Sequence, residues 1–371
     1  MKLDTLRLYD FRNYERLELA LHPGVNLIVG DNAQGKTNLL ESIGYLSAGR
    51  SFRTARQQEL IRFGADFADI SCTLTSGGRE QSLRAVLFAS KRPRQLFIGG
   101  VKQKTAAGLS GVLTTVLFCP DDLSVLKGGA AGRRRLLDAA LCQLRPAYAE
   151  ALAEYGRIQE NKARILKDWR EQPSLLEPLP EFNWRMAQVG AILIWHRARY
   201  VQKLAEAAAQ YHREFSGGLE RLTLEYQTVS TVTDPFADKK VIFEALLEHQ
   251  KTHYQAELQS GQCLSGPHKD DFDAALDGIS VKAFGSQGQT RTAAISLKLA
   301  ERELMRQDSG EEPVLLLDDV LSELDARRQD FVLNQIRSGQ VFITCCETER
   351  LTDIGQTLHI HGGQLCTSTS D

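Results

Sequence analysis

Eight residues near the start of the chain, Gly30-Asp31-Asn32-Ala33-Gln34-Gly35-Lys36-Thr37, fit the spacing GxxxxGK[ST]. Glycines at Gly30 and Gly35 let a backbone curl until its N–H groups face inward, the geometry that holds a phosphate chain. Lys36 brings a full positive charge for β- and γ-phosphates, and the Thr37 hydroxyl is placed to ligate Mg²⁺. The run Val25-Asn26-Leu27-Ile28-Val29 ahead of the loop reads as a short strand, and a helix is expected from about Lys36 to Leu46. That helix would add the partial positive charge of its N-terminus. ATP with Mg²⁺ is the expected ligand.

A second constellation lies far along the chain. Val314-Leu315-Leu316-Leu317 is an apolar run ending in Asp318 and Asp319. Such runs often end in an acid for no chemical reason, and this one gains meaning from the phosphate loop. Asp318 would hold Mg²⁺, and Asp319 would orient or polarise an attacking water. The acidic strand is expected beside the strand that feeds the loop. A third constellation, Phe284-Gly285-Ser286-Gln287-Gly288-Gln289, precedes a predicted helix. Its hydroxyl, N–H groups and helix dipole can face a γ-phosphate. It resembles the signature motif of ABC-type ATPases, which contacts ATP held by a second subunit. Ser322-Glu323-Leu324-Asp325 resembles the D-loop of that class.

Other residues carry weaker readings. His359 and His361 alternate on one strand face, but no third metal ligand is evident. Cys345-Cys346 follows an apolar strand and is expected in the core. Thr344 falls where ABC-type ATPases often place a switch-loop histidine. For His268 a structural place and one near a lobe junction are equally open.

The elements that must position these residues differ along the chain. Leu6, Leu8, Leu17, Leu19 and Leu21 alternate with polar residues, as in strands. Residues 68–105 continue that pattern, with turns at Gly77-Gly78 and Gly99-Gly100. Long Ala/Leu-rich helices are expected over 133–167, 184–215 and 241–258, interrupted by Pro173, Pro178 and Pro180. Strand signals return at Phe272–Leu276, with a hairpin about Asp277-Gly278. A helix over 290–305 would bury Ala293, Leu297, Ala300 and Leu304, and Val341-Phe342-Ile343-Thr344 is a further strand.

The 371 residues carry a net charge of -2. Residues 1–110 nevertheless hold 16 Lys+Arg against 10 Asp+Glu, so the remainder carries a surplus of acid. Arg50, Arg53, Lys91, Arg92 and Arg94 are candidates for phosphate-backbone contact; an ordinary solvated surface is the alternative. No apolar stretch approaches about 18 residues, and the N-terminus lacks an apolar signal core. Seven scattered cysteines form no CxxC pair, which suits a reducing compartment.

These motifs together resemble the RecF family almost end to end. Phe11-Arg12-Asn13-Tyr14 precedes the loop as in RecF and related heads, and Gly30 to Asn38 matches the form GxNxxGKTN. Ser51-Phe52-Arg53-Thr54 stands where SHRT is usual, and Phe118-Cys119-Pro120-Asp121-Asp122-Leu123 resembles FxPEDL. Lys127-Gly128 with Arg133-Arg134-Arg135-Leu136-Leu137-Asp138 resembles KG…RRxFLD, with Ala130 where proline is common. Asn161-Lys162-Ala163, Gly266-Pro267-His268-Lys269-Asp270-Asp271-Phe272, the Ser286 loop and Leu317 to Asp325 complete the match. Phe52, Asp121 and Ala130 are departures.

The resemblance implies an α/β fold: an ABC-type P-loop ATPase head, a mixed sheet with flanking helices, with a helical second lobe inserted in the middle. The expected division is 1–125 and 261–371 for the ATPase lobe and 126–260 for the helical lobe. It adds Asn38 and Arg12 to the nucleotide-binding residues, beside Gly30 to Thr37 and Ser286 to Gln289. It implies a weak DNA-stimulated ATPase, an ATP-dependent homodimer that closes on DNA, and joint action with RecR and RecO to load RecA. Replication, repair and the SOS response, in a cytoplasmic and nucleoid-associated setting, are the implied context. A transporter motor would need a membrane-docking surface, and a chromosome-maintenance ATPase hundreds of heptad residues; neither is present. The alternative kept open is a nucleotide-gated binding module with vestigial hydrolysis.

Overall fold

The alternating leucines at the start form a hairpin. In the computed structural model, β1 (Lys2–Phe11) pairs antiparallel with β2 (Tyr14–Ala20), placing Leu6 opposite Leu19 and Leu8 opposite Leu17. The structure describes residues 1–336, 338–346 and 355–366. After β3 (Val25–Val29) and α1 (Lys36–Ala48), the chain adds β4 (Phe67–Ser76), β5 (Arg79–Phe88), β6 (Gln95–Ile98) and β7 (Val101–Gln103). These complete an antiparallel sheet in the order β2-β1-β4-β5-β6-β7. The expected glycine pairs make its two-residue turns.

The helical middle is more broken than its composition suggests. After β8 (Thr115–Phe118) come α2 (Ala130–Leu144) and α3 (Pro146–Asp168) where one helix was expected. Pro146 forces the separation: it has no N–H to continue α2, and it holds the preceding Arg145 extended at φ -138°. The next helix, α4 (Leu179–Ser216), starts earlier than expected because Pro180 falls in its first turn, where proline is tolerated. A strand unseen in the sequence, β9 (Leu222–Gln227), follows, then α5 (Lys239–Thr252) and α6 (Tyr254–Ser260) in place of one helix. The Asp277-Gly278 hairpin joins β10 (Asp271–Leu276) to the short β11 (Ile279–Ser280), and α7 (Val281–Phe284) leads to α8 (Gln287–Ser309).

The second sheet gathers the remaining strands. They are β12 (Val314–Asp318), β13 (Val341–Cys345), β14 (Gly355–His361) and β15 (Gln364–Cys366), with α9 (Ala326–Gln335) between the first two. The order is β15-β14-β3-β13-β12-β8, parallel except at the β14–β15 edge. All five residues of β12 are buried, as an interior parallel strand requires. One correction concerns order: the acidic strand is not beside β3, because β13 lies between them. Helix α1 touches β4 and β5 of one sheet and β12 and β13 of the other. Leu39, Leu40 and Ile43 thereby join a common core with Leu6, Leu8, Leu74, Leu316 and Phe342.

The chain divides into two compact units. The first comprises Met1–Ser124 and Ala294–Asp371, and the second Val125–Ala293. The second unit holds β10 together with the helices, because β10 pairs along its length with β9.

Candidate nucleotide site

The loop between β3 and α1 is pinned from behind. The Asn13 Nδ2–H donates to the Gln34 carbonyl at 2.8 Å, and the Tyr14 hydroxyl to the Gly35 carbonyl at 2.9 Å. From the β14–β15 turn, Gly363 N–H donates to the same Gln34 carbonyl at 3.1 Å, and Gly362 N–H to Gln34 Oε1 at 2.6 Å. The same backing packs so closely that neither glycine of the loop tolerates a side chain. A Cβ on Gly30 would lie 2.3 Å from the Ile360 carbonyl oxygen, and one on Gly35, at φ +116°, 2.6 Å from the Asn13 amide.

The N-terminus of α1 has no side-chain cap, so its first N–H donors are open to an anion. Lys36 Nζ donates to the Gly30 carbonyl and, at 3.0 Å, to the Asp31 carbonyl. Asn32 and Cys346 flank it: Cys346 Sγ lies 3.4 Å from Lys36 Nζ and 3.3 Å from Asn32 Oδ1. Cys346 is therefore at the loop and exposed, not in the core as expected. Ala33 takes a left-handed φ of 65°, a further sign of a backbone shaped around a ligand.

Thr37 meets the acidic strand directly, its hydroxyl donating to Asp318 Oδ1 at 2.8 Å. Asp318 is buried, and loss of water raises its pKa from the usual carboxylate value. Hydrogen bonds from Thr37 and Thr344 and the charge of Arg53 work against that rise, and Asp319 adds to it. A dehydrated carboxylate beside a hydroxyl is a donor set that fits Mg²⁺. Asp319 follows at a left-handed φ of 52°, held by its N–H donating to Thr344 Oγ1 at 2.8 Å. Thr344 Oγ1 also lies 3.0 Å from Asp318 Oδ1. The strand that intervenes between β3 and β12 thus supplies a hydroxyl that joins the Asp318 carboxylate to the Asp319 backbone N–H. Thr344 is 1% exposed.

Behind α1, the fully buried Glu41 gathers charge that sequence reasoning missed. Arg12 donates to both of its oxygens at 2.8 Å, and Ser51 Oγ lies 2.5 Å away. Arg12 also donates to the Glu59 carbonyl at 2.7 Å, so its guanidinium braces α1 from behind the loop. Arg53, expected among DNA-facing residues, donates to Asn38 Oδ1 in the first turn of α1 at 2.7 Å. Asn38 in turn donates to Asn13 Oδ1 at 2.8 Å. Arg94 is half-buried against Tyr45, whose hydroxyl accepts from it at 3.2 Å. Arg50, Lys91 and Arg92 are exposed, with Arg92 over the Phe88 ring at 4.2 Å.

In the second unit, the Ser286 loop is a capping box. Ser286 N–H donates to Gln289 Oε1 at 3.0 Å, and Gln289 N–H to Ser286 Oγ at 3.2 Å. Ser286 and Gln287 are exposed at the head of α8. The same unit contains the GPHKDDF stretch, which is built into a buried network. Arg197 lies between Asp138 at 2.9 Å and Asp270 at 3.1 Å, and Asp270 also accepts from Tyr226 and Thr228. Arg133 grips Asp271 through two nitrogens at 2.6 and 2.8 Å. His268 Nε2 faces the Cys263 carbonyl at 2.9 Å and its Nδ1 the Tyr155 hydroxyl at 2.7 Å. One neutral tautomer satisfies both, and burial pushes the imidazole down to about 4. His268 is structural. His359 and His361 are exposed on β14, and the described residues hold no cluster of three metal-ligating side chains.

A phosphate loop, an acidic strand one strand removed, and a capped Ser-x-Gly-Gln helix on a two-part α/β head define an ABC-type ATPase head. Residues 2–368 match the RecF/RecN/SMC N-terminal domain family. The chain belongs to that family and, within it, to RecF. It is 39% identical over 354 residues to the DNA replication and repair protein RecF of Staphylococcus epidermidis, covering 94% of each chain. With the RecF of Symbiobacterium thermophilum it shares 41% identity over 356 residues, covering 95% of this chain and 93% of that one. A solved structure of the recombination mediator protein RecF-ATP in the RecFOR pathway superposes with a TM-score of 0.89 at 32% identity, covering 98% and 96%. The Smc head domain of Pyrococcus furiosus, at 17% identity and a TM-score of 0.55, shares the fold. No helix among the described residues is long and apolar enough to cross a membrane.

Proposed function

We propose that this protein is an ATP-gated DNA-binding protein of replication and recombinational repair. ATP binds in the hollow of the phosphate loop, with Lys36 leaving the loop carbonyls for the β- and γ-phosphates. Thr37 and Asp318 would hold Mg²⁺, which when bound offsets phosphate charge. Asp319 orients the attacking water and accepts its proton. The exposed Ser286 hydroxyl of a second copy closes on the γ-phosphate, giving a two-fold dimer with two shared sites. The single observation that carries this reading is the 2.8 Å bond from Thr37 to Asp318, which joins the loop to the acidic strand.

The closed dimer holds DNA through backbone phosphates, with Arg50, Lys91 and Arg92 as contacts and little sequence preference. Arg53 is better placed for the nucleotide, given its bond to Asn38. Together with RecR and RecO, in the cytoplasm and at the nucleoid, the dimer promotes loading of RecA, and slow hydrolysis releases it. The test is light scattering with and without ATP and Mg²⁺, on wild type and Ser286→Arg. ATP should convert wild type from monomer to dimer, while the variant binds ATP and stays monomeric. A wild-type protein that remains monomeric with saturating ATP and DNA contradicts the reading.

A further inference from the structure

The side chain of Gln289 is engaged at both ends within its own unit. Its Oε1 accepts the Ser286 N–H at 3.0 Å, and its Nε2 donates to Glu220 Oε1 at 2.8 Å. The other carboxylate oxygen of Glu220 lies 3.0 Å from His212 Nε2. An oxygen that only accepts requires the hydrogen on Nε2, so the imidazole donates. His212 is fully buried near the end of α4, and its Nδ1 has no hydrogen-bond partner among the described residues. Gly217 and Gly218, at φ of 67° and 84°, reverse the chain after α4 and bring Glu220 back beside His212. A continuous line of hydrogen bonds therefore runs from the buried imidazole, through one carboxylate, to the backbone of the Ser286 loop.

The consequence for chemistry lies at Ser286. Its Oγ accepts the Gln289 N–H at 3.2 Å, leaving the hydroxyl hydrogen to donate outward. One Nε2 hydrogen and one Oε1 lone pair of Gln289 carry these two bonds and fix where its side chain lies. We infer that Gln289 is a splint for the Ser286 loop, and that Glu220, oriented by His212, is the positioning residue that aims the Ser286 hydroxyl at the partner's γ-phosphate. This inference rests on the reading of Ser286 as a contact across the dimer. His212, Glu220 and Gln289 belong to one compact unit and the phosphate loop to the other, so nucleotide binding by the monomer should not depend on these three.

The experiment measures ATP affinity of the monomer and ATP-driven dimerisation for Glu220→Ala, Gln289→Ala, their double variant, Glu220→Gln and Ser286→Arg. Glu220→Ala should weaken dimerisation about tenfold or more, as loss of a charged hydrogen bond predicts. Monomer ATP affinity should stay at the wild-type value. The double variant should lose no more than either single one, because both break the same line. Glu220→Gln should restore dimerisation, since its carbonyl oxygen still accepts from Gln289. Wild-type dimerisation by Glu220→Ala, with Ser286→Arg monomeric, overturns the positioning role alone. Loss of monomer ATP affinity in Glu220→Ala also overturns it, as a general disturbance of the fold. If Ser286→Arg dimerises normally, the shared-site reading itself fails and this inference with it.

Discussion

The Thr37 hydroxyl donates to Asp318 Oδ1 at 2.8 Å across 281 positions of sequence. A residue from the first helix and one from a strand near the chain's end thus form one ligand set. The bond is short because β13, β3 and β12 lie side by side, with Thr344 paired to Asp318 on one edge and to Ile28 on the other.

If that pair holds Mg²⁺, the metal-dependent part of nucleotide binding should separate from the rest. Asp318→Asn should bind ATP like wild type in the presence of a chelator and gain nothing on adding Mg²⁺. Its turnover should fall about a hundredfold or more, the scale of a lost metal contribution. Titration calorimetry with and without Mg²⁺ makes the comparison.

Thr344 shares its hydroxyl between the Asp318 carboxylate and the Asp319 backbone N–H, so it bears on the candidate metal ligand and on the backbone that carries Asp319. Thr344→Val should lower Mg²⁺ affinity by about ten- to a hundredfold, so that more Mg²⁺ is needed for turnover, as loss of a partner behind a metal ligand does. Thr344→Ser should restore it. Asp319→Asn should keep ATP affinity but lose about a hundredfold or more in turnover. Steady-state ATP hydrolysis across Mg²⁺ concentrations distinguishes the two. Background-level turnover in wild type and Asp319→Asn alike would favour the alternative of a binding module with vestigial hydrolysis.

Arg197 is buried between two carboxylates, Asp138 and Asp270. Arg197→Leu leaves both without a counter-charge in a dry interior. The expected loss of stability is about 3–5 kcal/mol, measured by urea unfolding. Arg197→Leu combined with Asp270→Asn and Asp138→Asn should recover part of it, because the unpaired charge is then gone.

His268 has its pKa pushed by burial down to about 4 from the ordinary 6.5. Between those values the unfolded chain binds a proton that the folded chain refuses. Stability should therefore fall as pH drops from 6.5 toward 4 and be unaffected by this group above 6.5. Thermal unfolding of wild type should show that slope, and His268→Gln a shallower one. His196, also lowered to about 4 by burial and by Lys239, Arg145 and Arg199, retains the remainder.

The phosphate loop, the acidic strand and the Ser286 loop were legible because each is a local pattern whose spacing matches its chemistry. The fold class and the strand alternation of the first sheet were legible for the same reason. What stayed hidden depends on contacts far apart in sequence. Nothing local marks β13 as lying between β3 and β12, so Thr344 could not be placed with the carboxylates. The partners of Glu41 come from Arg12 and Ser51, and no periodic pattern links them. Arg53 and Arg94 counted equally toward a basic surface, yet one donates to Asn38 and the other packs on Tyr45. Pro146 at N1 of α3 splits in two a stretch whose Ala/Leu-rich composition reads as one helix.

The most direct measurement of the shared site is a mixing experiment with two inactive variants. Lys36→Ala lacks a working phosphate loop but has an intact Ser286, and Ser286→Arg has the reverse. Each alone should fail to hydrolyse ATP as a dimer. Mixed in equal amounts with ATP and Mg²⁺, they should form dimers with one complete site and recover a substantial fraction of wild-type turnover. Wild-type turnover by Ser286→Arg on its own would contradict the account, since the site would then be complete within one chain.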